Sequence, residues 1–200
     1  MLRNAEMAAS AAVHEDFPRR WQAEVLAAPP LIAPARHYVY PQAVEEIERG
    51  ALQVLLRAEP AAAPALLTFA RGFAEPSLPN GLWACPNPTQ LCAACGGYVY
   101  LVDTERPESF LQVPYRPVTA IHAASQAGLL LIAGFHRLWA LSAQGAAWET
   151  EKLSWEGIRV TRVEGWELEG FGWDLQTDRE VPFCVDLKTG AHTGGSSSDR

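Results

Sequence analysis

Positive charge and cysteine are both scarce in this sequence. Its 200 residues include 16 Lys and Arg against 23 Asp and Glu, which gives a formal net charge of −7. Binding through phosphate neutralisation requires clustered positive charge, so neither nucleic acid nor an anionic membrane surface is an expected partner. The four cysteines are too few for the disulfide scaffold of a secreted domain. Because no continuous apolar region lies near the N-terminus, the sequence predicts a cytoplasmic protein.

Long apolar runs and familiar catalytic motifs are also missing. The longest apolar stretch, residues 128–135, is far short of the roughly 20 residues that span a bilayer as a helix. The sequence has no Gly-Lys-Ser/Thr phosphate loop, no Gly-x-Ser-x-Gly elbow and no His-Glu-x-x-His pair. We therefore expect no standard nucleotide, esterase or zinc-protease chemistry, and we predict no cofactor.

What is present is a pattern of short strands. From His37 onwards, runs rich in β-branched and aromatic residues alternate with Gly and Pro, which is typical of antiparallel sheets. The predicted fold class is therefore mainly β, with residues 37–195 forming a single β domain. Residues 1–36, rich in Ala and Pro, are expected to form an irregular N-terminal arm with one short helix over Leu2–Val13. Residues 196–200 are expected to form a disordered tail.

One strand-and-turn unit recurs in the second half of the chain. Its three copies are Tyr98–Thr104, Leu138–Gly145 and Phe183–Gly190. Aligning Asp103, Ser142 and Lys188 gives offsets of 39 residues (142 − 103) and 46 residues (188 − 142). These offsets are close to the roughly 40 to 50 residues of one β-propeller blade. The repeat therefore predicts an architecture and no reaction.

The copy at Leu138–Leu141, followed by Gly145 and Trp148, resembles the blade motif of quinoprotein-like and related β-propellers. The resemblance supplies no cofactor residue. Residues 37–195 have room for four blades at most, so two architectures stay open: an antiparallel two-sheet sandwich, and a partial or small propeller-like repeat. We rank an open or sandwiched arrangement first, and expect a homodimer to cover its free sheet edge. Tyr115–Val118, Leu153–Gly157 and Gly172–Asp174 also resemble stretches of uncharacterised bacterial proteins, which implies no function.

The segment Glu75–Cys95 contains four prolines and is predicted to be a long irregular loop, a kind of segment that is often functional. Its thiols, Cys85, Cys92 and Cys95, offer three of the four ligands that structural zinc requires, but only one short Cys pair is present. We therefore predict small, partly buried thiols and no metal site.

Seven tryptophans provide the best candidates for a binding surface. Trp139 and Trp148 fall inside predicted strands and are expected in the core. Trp155 and Trp173 fall at strand ends, where exposure is expected, and Trp83 lies in the Pro-rich segment. These last three residues, together with Asp174, form the predicted binding surface.

Two functions follow from these residues. The first is a non-enzymatic binding or interaction protein, whose β scaffold presents the Pro-rich segment and the strand-end tryptophans to a protein or small ligand. The alternative is a hydrolase of unfamiliar type that uses carboxylates near Asp174 and Asp178 or a thiol of the cysteine segment. Because alternate acidic residues on a strand usually mark its solvent face, binding is favoured, and no catalytic residue is predicted.

Overall fold

The fold is mainly β, as the sequence predicts. The computed structural model describes residues 11–32, 34–42, 50–59 and 63–196. Within these residues it contains seventeen strands and a single short helical turn, the 3-10 turn Ser125–Ala127. The strands are β1 (Ala12–His14), β2 (Trp21–Leu26), β3 (Arg36–Tyr40), β4 (Ala51–Ala58), β5 (Ala65–Ala70), β6 (Gly81–Ala84), β7 (Gln90–Cys95), β8 (Tyr98–Asp103), β9 (Phe110–Gln112), β10 (Ala120–Ala124), β11 (Leu129–Ala133), β12 (Leu138–Ser142), β13 (Gly145–Glu149), β14 (Ile158–Glu164), β15 (Glu167–Asp174), β16 (Arg179–Asp186) and β17 (His192–Gly194). No helix among the described residues has the length and apolar character needed to cross a membrane.

The strands form four sheets. Sheet I has the order β2-β4-β5-β3, sheet II the order β1-β6-β7-β8-β9, sheet III the order β10-β11-β12-β13 and sheet IV the order β14-β15-β16-β17. Sheets I and II belong to a compact unit over Met1–Pro117, and sheets III and IV to a second compact unit over Val118–Arg200. Three of the sheets contain a meander of four consecutive antiparallel strands, namely β6 to β9, β10 to β13 and β14 to β17. Such meanders are the blades of propeller folds, so the chain is a propeller-like repeat.

The recurring sequence unit marks the same strand in three of the sheets. Its copies form β8, β12 and β16, each of which is the third strand of a meander: β6 to β9, β10 to β13 and β14 to β17. Each copy ends in the turn that leads to the fourth strand. The repeat is therefore confirmed as a structural one.

Sheets III and IV share one apolar core. Leu131 and Leu138 from sheet III are buried with Leu168 and Phe183 from sheet IV, because alternate residues of each strand face inward. Trp148 packs against this core, and its Nε1–H donates to Leu187 O at 2.9 Å. Trp139, which the sequence also predicts in the core, does not belong to it. It lies on the face of β12 opposite to Leu138 and is partly exposed.

Aromatic rings join sheets I and II. Tyr40 and Phe69 stack with ring centroids 4.9 Å apart, and Phe69 lies 5.5 Å from the ring of Tyr100. The Tyr100 hydroxyl donates to Ala70 O at 3.0 Å. Burial raises the pKa of the Tyr40 hydroxyl, and the nearby Tyr38 and Glu108 add to this effect. This hydroxyl donates to Pro107 O at 2.7 Å.

The described part of residues 1–36 is more regular than an arm. β2 pairs with β4 over its whole length, and Trp21 is buried. β1 pairs with β6. Most of the helix predicted over residues 2–13 lies outside the described residues, but Ala12 and Val13 are in a strand. The division into an arm, one β domain and a tail stays a prediction.

The Pro-rich segment is not the long irregular loop that the sequence suggests. Its proline-free stretches form β6 and β7, which pair as an antiparallel hairpin. All four prolines fall outside these strands, where a missing N–H costs no ladder hydrogen bond. Propensity alone hides this hairpin because the strands are short and closely flanked by prolines.

Ser196 is the first residue of the predicted tail. Ser196 is buried, and its N–H donates to Leu153 O at 2.9 Å. Residues 197–200 lie outside the described residues.

Candidate functional site

One end of sheets III and IV brings together residues that are far apart in sequence. The β11–β12 turn carries Phe135, the β13–β14 link carries Lys152 and Trp155, and the end of β15 carries Trp173, followed by Leu175. We call these five residues the strand-end surface. Two of the predicted candidates, Trp155 and Trp173, are therefore neighbours in the fold.

Ser154 fixes the backbone beneath this surface. The Trp155 N–H donates to Trp173 O at 2.9 Å. In return, the Trp173 N–H donates to Ser154 Oγ at 2.8 Å, and the Ser154 hydroxyl donates to Gly157 O at 2.5 Å. Because Ser154 is fully buried, its hydrogen bonds are partly shielded from water, and together these bonds hold the backbones of the two tryptophans in a fixed relation.

A second set of contacts ties the β11–β12 turn to the same place. His136 has its Nδ1 3.0 Å from Ser154 O, and its own carbonyl accepts the Leu153 N–H at 2.8 Å. The Gly157 N–H donates to Phe135 O at 3.0 Å. Phe135 therefore has a fixed backbone position beside the β13–β14 link, which carries Trp155.

The strand-end surface exposes apolar area. Phe135 is 43% exposed and Leu175 is 56% exposed, while Trp155 and Trp173 are partly exposed. The Lys152 ammonium lies over the ring of Trp155, a cation–π contact. Trp155 Nε1–H is buried and has no acceptor among the described residues, an arrangement that carries a desolvation cost.

Asp174, another predicted candidate, is buried rather than exposed. Its Oδ2 accepts hydrogen bonds from the Thr177 N–H at 3.1 Å and the Thr177 hydroxyl at 2.7 Å. Asp178 has a φ of 53° in the same turn, a conformation that Asp tolerates better than most residues. These two residues shape the β15–β16 turn next to Trp173, and a direct binding role for Asp174 stays a prediction.

Trp83, the fourth candidate, lies in the other compact unit. It is 7% exposed, and the ring of His14 stacks on it with centroids 4.6 Å apart and planes 8° from parallel. The exposure expected for a loop residue is therefore absent, because the segment around Trp83 is a strand and β1 covers it.

The carboxylates of the last hairpin are ion-paired on the solvent face of sheet IV. Arg162 contacts Glu169 at 2.5 Å and Glu164 at 2.7 Å, and Arg159 contacts Glu180 at 2.6 Å. Hydrogen bonds from these arginines lower the pKa of Glu169 and of Glu180. A general acid needs the opposite shift, so these paired carboxylates are poorly suited to acid catalysis.

The thiols of the cysteine segment are buried. Desolvation raises the pKa of Cys95 to about 12 and also raises the pKa values of Cys85 and Cys92. A thiol in this state is a poor nucleophile and a poor metal ligand. The described residues contain no group of three or more His, Cys, Asp or Glu side chains suited to hold a metal ion.

Sequence reasoning missed Phe135, Ser154 and Leu175. Phe135 lies two residues after β11 and Leu175 directly follows β15, and apolar residues in predicted turns are a usable sequence indication. Ser154 gave no comparable indication, because its role depends on a hydrogen bond to a strand 19 residues further along the chain.

No protein-family model and no curated protein matches this sequence. Among solved structures, the chain is similar to the β-propeller domain of the Trilobed protease from Pyrococcus furiosus, described as having an open velcro topology. The TM-score is 0.45 and the identity 10%, over 89% of this chain and 55% of that one. It is also similar to Sqt1 from Chaetomium thermophilum, with a TM-score of 0.41 and 14% identity over 58% of this chain and 34% of that one. The chain thus spans about a third to a half of the length of these structures. The propeller-like character of its fold follows from the strand order of its own sheets.

Proposed function

We propose that this chain is a non-enzymatic interaction protein that binds a partner protein through the strand-end surface. The observation that carries the proposal is the fixed pair of Trp155 and Trp173, joined through Ser154 and flanked by exposed Phe135 and Leu175. Aromatic side chains carried on a backbone fixed in this way supply large contact area to a partner.

The composition of the surface favours a protein partner. Its aromatic and aliphatic side chains come from three chain segments, and contiguous apolar patches with polar rims often mark interaction sites. Lys152 supplies a positive charge at the rim. A partner that displaces its flexible side chain from Trp155 gains access to the face of the indole.

The hydrolase alternative has no support in the residues that suggested it. Asp174 is buried at the end of β15, and three of the nearby glutamates are paired with arginines. The thiols of the cysteine segment are buried and have raised pKa values. The cytoplasmic location, the bacterial origin and the homodimer stay predictions.

The proposal is tested by quantitative affinity capture with the full chain. Cell extract is passed over immobilised wild type, Trp155→Ala, Trp173→Ala and Trp166→Ala. Trp166 is 46% exposed but sits at the opposite end of sheet IV, so it is a matched control. We expect at least one protein to be retained by the wild type and by Trp166→Ala and to be lost from the other two variants.

The affinity of that protein, once purified, is then measured. Truncation of a central interface tryptophan costs about 2 kcal/mol or more, so the Kd should rise by about 30-fold or more for Trp155→Ala. Equal binding to all four proteins would contradict the proposal, provided that circular dichroism shows the variants folded.

A further inference from the structure

We propose that the edge of β6 opposite β7 is a strand-accepting site, which β1 occupies and which an extended segment of a partner protein can occupy in its place. β1 pairs with β6 in parallel, with Ala12 opposite Gly81 and His14 opposite Trp83. The other neighbouring pairs in sheet II are antiparallel strands consecutive in sequence. β1 is therefore an added strand from a distant part of the chain.

The edge of β6 is shaped to receive another backbone. Gly81 has a φ of 150°, and a Cβ at this position would lie 2.5 Å from Ala12 O. The absence of a side chain at residue 81 thus permits the close approach of the added strand. Extended peptides bind to free sheet edges through main-chain hydrogen bonds in the same way.

Trp83 gives the edge a preference for side chains. Its indole forms a flat platform on which His14 stacks almost in parallel, at 4.6 Å between ring centroids. Specificity in strand addition comes from the side chains that alternate along the added segment. We therefore infer a partner segment with a small residue opposite Gly81 and a planar ring, that of His, Phe, Tyr or Trp, opposite Trp83.

The structure allows β1 to leave while the chain after it stays in place. β1 has three residues, and none of its side chains is buried. Downstream, Phe17 and Trp21 are buried, the Arg20 N–H donates to Pro88 O at 2.8 Å, and Trp21 Nε1–H donates to Gln90 O at 3.2 Å. Short edge strands with few buried contacts open at lower free-energy cost than core strands.

β1 is also the competitor that a partner must displace. A tethered segment acts at an effective concentration of about 1 mM, which weakens the apparent affinity of any segment added in trans. The partner therefore binds through a ring larger than that of His14 or through further contacts along the same edge. This site is separate from the strand-end surface, so the two proposals fail independently.

The test measures binding of labelled peptides to the full chain by fluorescence anisotropy. One peptide has the sequence of residues 8–14, a second has Phe at the position of His14, and a third is scrambled. The variant Val13→Pro/His14→Ala weakens β1, since Pro removes a backbone donor and Ala removes the ring. We expect the first two peptides to bind this variant at least about tenfold more tightly than the wild type, as removal of a millimolar internal competitor predicts. The Phe peptide should bind more tightly than the peptide with His.

Two further substitutions locate the binding. Gly81→Val and Trp83→Leu, each added to the weakened variant, should abolish the gain, and the scrambled peptide should bind none of the proteins. Equal affinity of the peptides for the wild type and the weakened variant would overturn the proposal. A concentration-dependent dimer that disappears with Val13→Pro would assign the edge to a second copy of the chain and would also overturn it.

Hydrogen exchange on the unmodified protein keeps the test decisive if the variants fold poorly. We expect the amides of β6 to exchange faster than those of β7, and the Phe peptide at about 1 mM to slow them. If the amides of β6 are as protected as those of β7 and are unaffected by the peptide, β1 does not dissociate from β6, and the proposal is wrong.

Discussion

The backbone N–H of Trp155 donates to the carbonyl of Trp173 at 2.9 Å, and the N–H of Trp173 donates to the hydroxyl of Ser154 at 2.8 Å. The backbones of the two tryptophans are thus joined to each other directly and through one buried serine. This link turns two unrelated strand-end residues into a single surface, and its strength determines how well that surface is preorganised for a partner.

The first prediction concerns Ser154. Ser154→Ala removes the buried hydroxyl that accepts hydrogen bonds from the N–H groups of Trp173 and Glu156, and leaves both groups without this partner. We expect a loss of about 1–3 kcal/mol in the free energy of unfolding, measured by urea denaturation.

Ser142→Ala is the matched control for Ser154→Ala. Ser142 also accepts an N–H two residues ahead and donates to a carbonyl three residues ahead, at 3.2 and 3.0 Å, but its turn faces solvent. Its loss should cost about 0.5–1.5 kcal/mol. Equal destabilisation by the two substitutions would argue against a special role for Ser154.

The second prediction concerns Gly172, where β15 passes close to the β13–β14 link. A Cβ at Gly172 would overlap Leu153 O, so Gly172→Ala must push this link away. We expect a cost of about 1–3 kcal/mol and a shift in tryptophan fluorescence. Gly165→Ala meets open space but has a φ of 57°, so it should cost only about 1 kcal/mol and leave the emission of Trp155 and Trp173 unchanged.

The third prediction concerns thiol reactivity. Cys85, Cys92 and Cys95 are buried, whereas Cys184 is partly exposed. Desolvation, followed by the nearby charges of Glu167 and Glu169, raises the pKa of the Cys184 thiol. An aromatic disulfide reagent should therefore modify a single thiol of the native protein, slowly and faster at higher pH, and all four in denaturant.

Cys184→Ser should abolish this native reaction. Rapid modification of two or more thiols in the folded Cys184→Ser variant would show that the cysteine segment opens readily, contrary to its burial.

The fourth prediction concerns acid stability. The pKa of Glu169 is lowered in the folded state by its hydrogen bonds and charge pairing with Arg162. A depressed carboxyl pKa gives stability that is present above its unfolded value, about 4.3, and is lost as pH falls through the lower folded value. Between pH 7 and pH 3, the urea midpoint should therefore fall less for Arg162→Met than for the wild type.

Arg137→Met provides the control for this charge effect, since Arg137 makes no ion pair within the described residues. It should show the same pH dependence as the wild type. Added salt should reduce the difference between the wild type and Arg162→Met because the pair is exposed to solvent and screened. A difference independent of salt would point to a cause other than the ion pair.

Local sequence features are enough to predict most of the strands from β8 onwards. In β15, for example, Leu168 alternates with Glu167 and Glu169, and a two-sided sheet requires this pattern whatever its neighbours are. The β11 strand, Leu129–Ala133, is an unbroken run of apolar residues that are all buried, a pattern typical of a strand covered on both faces. By contrast, β6 and β7 escape prediction because their prolines lie close by in sequence but outside the hydrogen-bonded ladder.

The sequence by itself determined the β class, the spacing of the repeat and the tryptophans that end strands, because these depend on residues close together in the chain. Only the tertiary structure decided that Trp83 is covered by His14 while Trp155 and Trp173 remain partly exposed and share Ser154. Burial and hydrogen bonding at these positions depend on which distant segments pair and in which register, and local side-chain periodicity does not fix that choice.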